Sequence, residues 1–173
     1  MDWIQELKEL YYKELERRDH ISEKMTSSIT FLTFICTGHM FIWSKMVELD
    51  FIISFFPLLF LTTEIVSVGF TIMAFYYFFR TYFRVDYSVI PTLELIEKIA
   101  DNLQNDDYTN NEIENANKKM LSGTIRNCIS DNVEINNKRE RAQYRMNIGL
   151  SVSFCSLVFV YAIWIFVINI FTF

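Results

Sequence analysis

The sequence predicts an all-α integral membrane protein: three transmembrane helices, an N-terminal amphipathic helix, and a cytoplasmic helical hairpin between the second and third spans. Three observations predict it. Hydrophobic residues make up 51% of the 173-residue chain and gather in three long blocks, only four Gly and two Pro interrupt the sequence, and no alternating strand pattern occurs. A disordered chain is excluded by this apolar content. A basic nucleic-acid binder is excluded by the net charge of −5, so no nucleic-acid partner is expected.

The first element covers residues 1–24. Ile4, Leu7, Leu10, Tyr11, Leu15 and Ile21 recur at the three-or-four spacing of one helix face, with Glu, Lys and Arg between them. No Gly or Pro stops this helix before the first span. Its seven Asp/Glu and five Lys/Arg do not fit a cleavable signal peptide, so the segment is expected to stay on the mature chain.

The blocks Ile29 to Ser44, Phe51 to Phe79 and Asn147 to Phe173 contain no Asp, Glu, Lys or Arg except Glu64. A span needs about 20 apolar residues to cross roughly 30 Å of hydrocarbon. The second and third blocks reach that length alone. The first reaches it with the uncharged Met25 to Ser28, so spans are placed at 25–46, 51–79 and 147–173.

Between the second and third spans, residues 80–146 are polar. Pro91 opens a helical pattern of Leu93, Ile96, Ile99, Ala100 and Leu103, Gln104 to Asn111 reads as a loop, and a second pattern runs from Ile113 through Ile125, Ile129 and Val133 toward the third span. Ser122 and Gly123 could bend this second helix but need not end it. The cytoplasmic parts are small for an independent core, which makes a symmetric homo-oligomer the economical way to cover their apolar faces.

Orientation follows from the bases. Residues 1–24 and 80–146 share a side of the membrane and hold five and ten of the 16 Lys/Arg, against Lys45 alone in the connection 45–50. The positive-inside rule places the richer side, and the N-terminus, in the cytoplasm. Lys24, Arg80, Arg84, Lys138, Arg139, Arg141 and Arg145 form a collar beside the spans, as topology determinants and as candidates for anionic lipid headgroups at about 1 kcal/mol per base. Trp43, Tyr76, Tyr77, Tyr82 and Tyr144 lie at block ends, where amphipathic rings anchor in the interface.

Glu64 is the outstanding residue. A carboxylate in the middle of a span costs roughly 2.5 to 3.5 kcal/mol on insertion scales, so it must face protein or water. Pro57, Ser67 and Thr71 share its helix face, and Thr62 and Thr63 widen the polar sector. This stripe is the candidate pore or gate of an oligomer, or else a hydrogen-bonded assembly contact. Counted from the outer ends of the spans, Thr33 and either Ser156 or Tyr161 are the nearest candidates at its depth. His39 lies about 9 Å nearer the outside if the helices are straight, so a direct pair within one subunit is not expected. Gly149, Ser153 and Ser156 place small residues on one face of the third span, where another helix can approach.

Catalytic constellations are not apparent. The chain has two histidines, no glycine-rich phosphate loop and no Cys or His cluster with metal spacing, so neither a metal nor a cofactor is expected. Cys36, Cys128 and Cys155 have no paired spacing and are read as packing residues. Arg17 and His20 are separated by two residues, where the Arg/His motif of HEPN ribonucleases has four to six. An enzyme within the membrane would need a nucleophile and a base on facing helices, which scattered Ser and Thr do not indicate.

The segment Tyr11 to Asp19 before a two-span hairpin, the Arg80-Thr81-Tyr82 exit and the Ile135 to Arg139 approach to a last span resemble small bacterial membrane proteins of antiphage loci. The layout is similar to the SLATT group, although a third span departs from that group's two-span plan. It is as similar to the accessory membrane proteins of CRISPR systems. The resemblance implies a non-enzymatic effector in the bacterial inner membrane that damages the membrane when a cytoplasmic partner senses infection. A non-conducting scaffold that recruits a partner through residues 80–146 is the alternative.

Overall fold

The computed structural model describes residues 3–48, 55–83, 86–90 and 110–171. These residues form three α-helices, α1 (Trp3–Glu48), α2 (Phe55–Tyr82) and α3 (Asn110–Phe171), and no strand occurs among them. All three helices are long and apolar enough to cross a membrane. The amphipathic N-terminal segment and the first span are one uninterrupted helix, α1, and α3 likewise passes through Ser122 and Gly123 without a break. The helix expected at 91–103, most of the loop after it, and Arg84 lie outside the described residues. Asn110 and Asn111, read as the end of that loop, belong to the first turn of α3.

Each buried face follows a seven-residue repeat. On α1 it comprises positions 7, 11, 14, 18, 21, 25, 28, 32, 35, 39 and 42; on α2, 60, 64, 67, 71, 74, 78 and 81; on α3, 122, 125, 129, 132, 136, 139, 143, 146, 150, 153, 157, 160 and 164. None of these positions is exposed. Alternating steps of three and four are the seam of helices packed knobs into holes. The occupants are often polar, among them Asn132, Asn136, Arg139, Gln143 and Ser153 on α3.

The chain divides into two compact units. The first combines the start of α1, residues 86–90 and the first part of α3. Its apolar cluster is Tyr11, Ile125 and Cys128, joined by Leu7, Leu15, Ile90, Leu121 and Ile129. Asn132 grips the extended segment like a strand partner: its Oδ1 accepts from the Ser88 N–H at 3.0 Å and its Nδ2 donates to the Ser88 carbonyl at 3.1 Å. Asn136 donates to the carbonyl and carboxylate of Glu14, both at 2.9 Å, and accepts from the Tyr87 hydroxyl at 2.6 Å. Cys128 donates to the Val89 carbonyl, and its burial, with Asp131 nearby, pushes the thiol above its usual range. Arg18 lies over the Tyr87 ring at 5.5 Å, and its hydrogen bond to Asp19 raises the guanidinium further.

The second unit contains Ser22–Arg84 and Arg139–Phe173. Its buried side chains stack in layers. Leu32, Ile35, Ala74, Met146 and Leu150 make one apolar layer, and Ile42, Phe60, Leu157 and Val160 another. Residue numbers between these layers rise on α1 and α3 and fall on α2, so α2 runs antiparallel to both. Close approach is enforced at two glycines. A Cβ at Gly149 would lie 3.1 Å from the Phe70 carbonyl oxygen, and one at Gly38 would lie 2.6 Å from Leu157 Cδ2.

Candidate functional site

Between the two apolar layers of the second unit sit five polar side chains from three helices: His39 of α1, Glu64, Ser67 and Thr71 of α2, and Ser153 of α3. Glu64, Ser67 and Ser153 are fully buried, and His39 and Thr71 nearly so. Ser67 and Thr71 lie three and seven positions after Glu64, so they fall on one face of α2, and position 153 is the seam position of α3 that meets them.

His39 Nδ1 is 2.6 Å from Glu64 Oε1. One proton lies between these atoms whichever group holds it. Nε2 of the same ring faces the hydroxyls of Ser67 and Thr71 at 3.3 Å and of Ser153 at 3.4 Å. The hydroxyls are further tied together: Thr71 Oγ1 and Ser153 Oγ are 2.6 Å apart, and Ser67 donates to the Ser153 carbonyl at 2.9 Å. Glu64 Oε2 has no hydrogen-bond partner among the described residues.

The direct His39 to Glu64 contact corrects the depth argument made from sequence. From the sequence the first span was placed to end at Met46 and the second to begin at Phe51. α1 in fact ends at Glu48 and α2 begins at Phe55, so His39 and Glu64 each lie nine residues from the facing helix ends. They are level. The partners proposed from depth are elsewhere: Thr33 is exposed and donates to the Ile29 carbonyl, Tyr161 is exposed and stacks on Trp164, and Ser156 is half-buried. The neighbour on α3 is Ser153.

Other candidate residues separate from the stripe. Thr63 is half-buried and donates to the Leu59 carbonyl, Thr62 likewise spends its hydroxyl on its own helix, and Pro57 falls in the first turn of α2, where only the backbone is described. Gly149 and Ser153 are both buried on the packed face of α3. Of the basic collar, Arg139 is not a headgroup ligand. It is 8% exposed, donates through Nε to the Thr81 carbonyl at 3.2 Å, and donates through Nη2 to Ser22 Oγ at 3.1 Å. It thereby satisfies a carbonyl in the last turn of α2, where a cation is favourable. Arg145 lies over the Tyr77 ring and donates to its hydroxyl, and Lys138 pairs with Glu134. Lys24, Arg80 and Arg141 are exposed.

The order hydroxyl, imidazole, carboxylate is that of nucleophilic hydrolases, so a base and hydroxyls do face one another across helices, contrary to the sequence reading. Two features oppose hydrolysis. Ser67 and Ser153 are 0% exposed, which denies a substrate access. Both also sit in mid-helix, where neighbouring N–H groups are engaged in helix bonds and form no oxyanion hole. The chemistry within reach is to hold and share protons while joining three helices. No three His, Cys, Asp or Glu side chains among the described residues gather as a metal site.

No protein-family model, curated protein or solved structure matches the chain.

Proposed function

We propose that the chain is a three-span protein of the bacterial inner membrane, with its N-terminus and residues 80–146 in the cytoplasm, and that it acts as an effector of antiviral defence by breaching that membrane on activation. The observation that carries this reading is the polar core held between two apolar layers of membrane-length helices. A buried His and Glu in such a place are costly to a structural protein and useful to one that must open a polar path. In this reading the present arrangement is the closed state. The core is sheltered by its own three helices, not by assembled copies as the sequence suggested, and the apolar layers at either side are the gates. Activation then requires the helices to part or re-pair, with an oligomer as the open form.

A second reading, a non-conducting scaffold that recruits a cytoplasmic partner, is favoured by the hydroxyls of the core, each of which has a partner within one chain. Full-length protein in liposomes separates the two. Ion flux that Glu64→Gln and His39→Gln alter supports the effector. Partner binding without flux, unaffected by those substitutions, supports the scaffold.

A further inference from the structure

An open cavity of about 370 Å³ lies between α1 and α3 of the second unit, lined by Ser27, Ser28, Phe31, Asn147, Leu150 and Ser151. At about 30 Å³ per molecule, this is room for roughly a dozen waters, or for the glycerophosphate of a lipid. Of its hydroxyls, Ser28 donates to the Lys24 carbonyl four residues earlier at 3.2 Å, whereas Ser27 and Ser151 do not bond back to their helices. Thr26, Thr30, Thr33 and Thr37 each donate to the carbonyl four residues earlier, as a side chain facing hydrocarbon must. Ser27, Ser151 and the Asn147 amide nitrogen have no such partner among the described residues; Asn147 only accepts, from Ser28 at 3.1 Å. Lys24, exposed and one turn before Ser27 and Ser28, makes no ion pair among the described residues. On the other side of the cavity the surface turns apolar, where Phe31 and Phe34 meet Phe154 at ring distances of 5.3 and 6.5 Å.

Unspent donors and a cation at one end and aromatic rings at the other have the polarity of a phospholipid. We infer that this groove binds one anionic phospholipid of the cytoplasmic leaflet. Its phosphate accepts from Ser27, Asn147 and Ser151 beside Lys24, and an acyl chain lies along Phe31, Phe34 and Phe154. The inference rests on the membrane placement proposed above, and not on the effector activity. It assigns the lipid to a groove, where the sequence pointed only to a diffuse collar of bases.

Native mass spectrometry of the full-length protein in mild detergent tests it, with dioleoylphosphatidylglycerol and dioleoylphosphatidylcholine as probes. The expected result is one retained phosphatidylglycerol per chain, with about tenfold weaker retention in Ser27→Leu/Asn147→Leu and in Lys24→Gln, since each removes donors to an ionised group. Thr30→Leu, outside the groove, is expected to retain lipid as the unaltered chain does. Equal retention of the two lipids, or retention by the double variant at unaltered strength, overturns the assignment. Helicity and thermal midpoint of each variant report its folding, and Lys24→Gln keeps the test decisive if the double variant does not fold. Alkaline extraction of the protein from cell membranes separates the two failures: a chain that washes out refutes the membrane placement, and one that stays but holds no phosphatidylglycerol refutes the groove alone.

Discussion

His39→Leu, Glu64→Leu and the double substitution form a cycle whose outcome the geometry dictates. Glu64 is fully buried, one of its oxygens already lacks a partner, and the other is held by His39 at 2.6 Å. Removing His39 alone leaves the buried carboxyl group without its one partner, at a cost of about 3 to 5 kcal/mol if it keeps its charge. Removing Glu64 alone leaves one imidazole nitrogen unsatisfied, at about 1 to 3 kcal/mol. Removing both replaces the pair by side chains of similar bulk and leaves only the hydroxyls, which bond one another. The double variant is therefore expected to be no less stable than His39→Leu, so the coupling is at least the Glu64→Leu cost, about 1 kcal/mol or more. A neutral hydrogen bond between membrane helices averages only about 0.6 kcal/mol, so the size of the coupling also reports whether the pair carries charge. Reversible unfolding in detergent or bicelles, followed by far-UV circular dichroism, measures all four corners. Additivity within about 0.5 kcal/mol would refute the reasoning, because residues in contact do not behave so.

Three further outcomes follow from the packing. Gly149→Ala must push α3 away from the Phe70 carbonyl and lower the thermal midpoint, whereas Gly123→Ala, with open space around its Cβ, should stabilise by about 0.5 to 1 kcal/mol through helix propensity; thermal denaturation of both variants checks the opposite signs. Asn136→Leu leaves Glu14 and Tyr87 without their shared partner and should loosen the first unit by about 2 kcal/mol, seen as faster amide exchange in residues 86–90 with the midpoint of the second unit little changed. The raised Cys128 thiol stays protonated at pH values where an ordinary thiol ionises, so its alkylation by iodoacetamide should lag behind that of a free thiol and rise only at more alkaline pH. Alkylation of Cys128 at the rate of free cysteine would show that the cluster around it is open.

The helical class and the three membrane-length helices were legible because long charge-free blocks leave few alternatives. Glu64 was legible as the one acid within them, and Ser67 and Thr71 as its face. The partners were not, for two reasons. Depth was counted from the expected span ends, which differ from helix ends by two residues at Met46 against Glu48 and by four at Phe51 against Phe55. The seam of α3 was hidden because a search for apolar periodicity skips Asn132, Asn136, Arg139, Gln143 and Ser153, although they hold the same register as Ile125, Met146 and Val160. Ser153 was legible as a packing residue between Gly149 and Ser156, and a count of every residue at steps of three and four from Ile125, regardless of polarity, sets it in the same seam as Asn132, Asn136 and Arg139. Arg139 looked like a member of the basic collar for the same reason: sequence gives its neighbours in the chain, and only packing shows the Thr81 carbonyl beneath it.

Solid-state NMR of the protein in lipid bilayers tests most directly that one chain shelters its own carboxyl group. With two histidines in the chain, His20→Gln leaves His39 as the single imidazole, and the contact between its Nδ1 and the Glu64 side-chain carbon can be read in a sample labelled with both ¹⁵N and ¹³C. The structure predicts that this contact is strong in uniformly labelled protein and vanishes when ¹⁵N-labelled and ¹³C-labelled chains are mixed before reconstitution. Persistence of the contact in the mixed sample, or its absence from both, would contradict it.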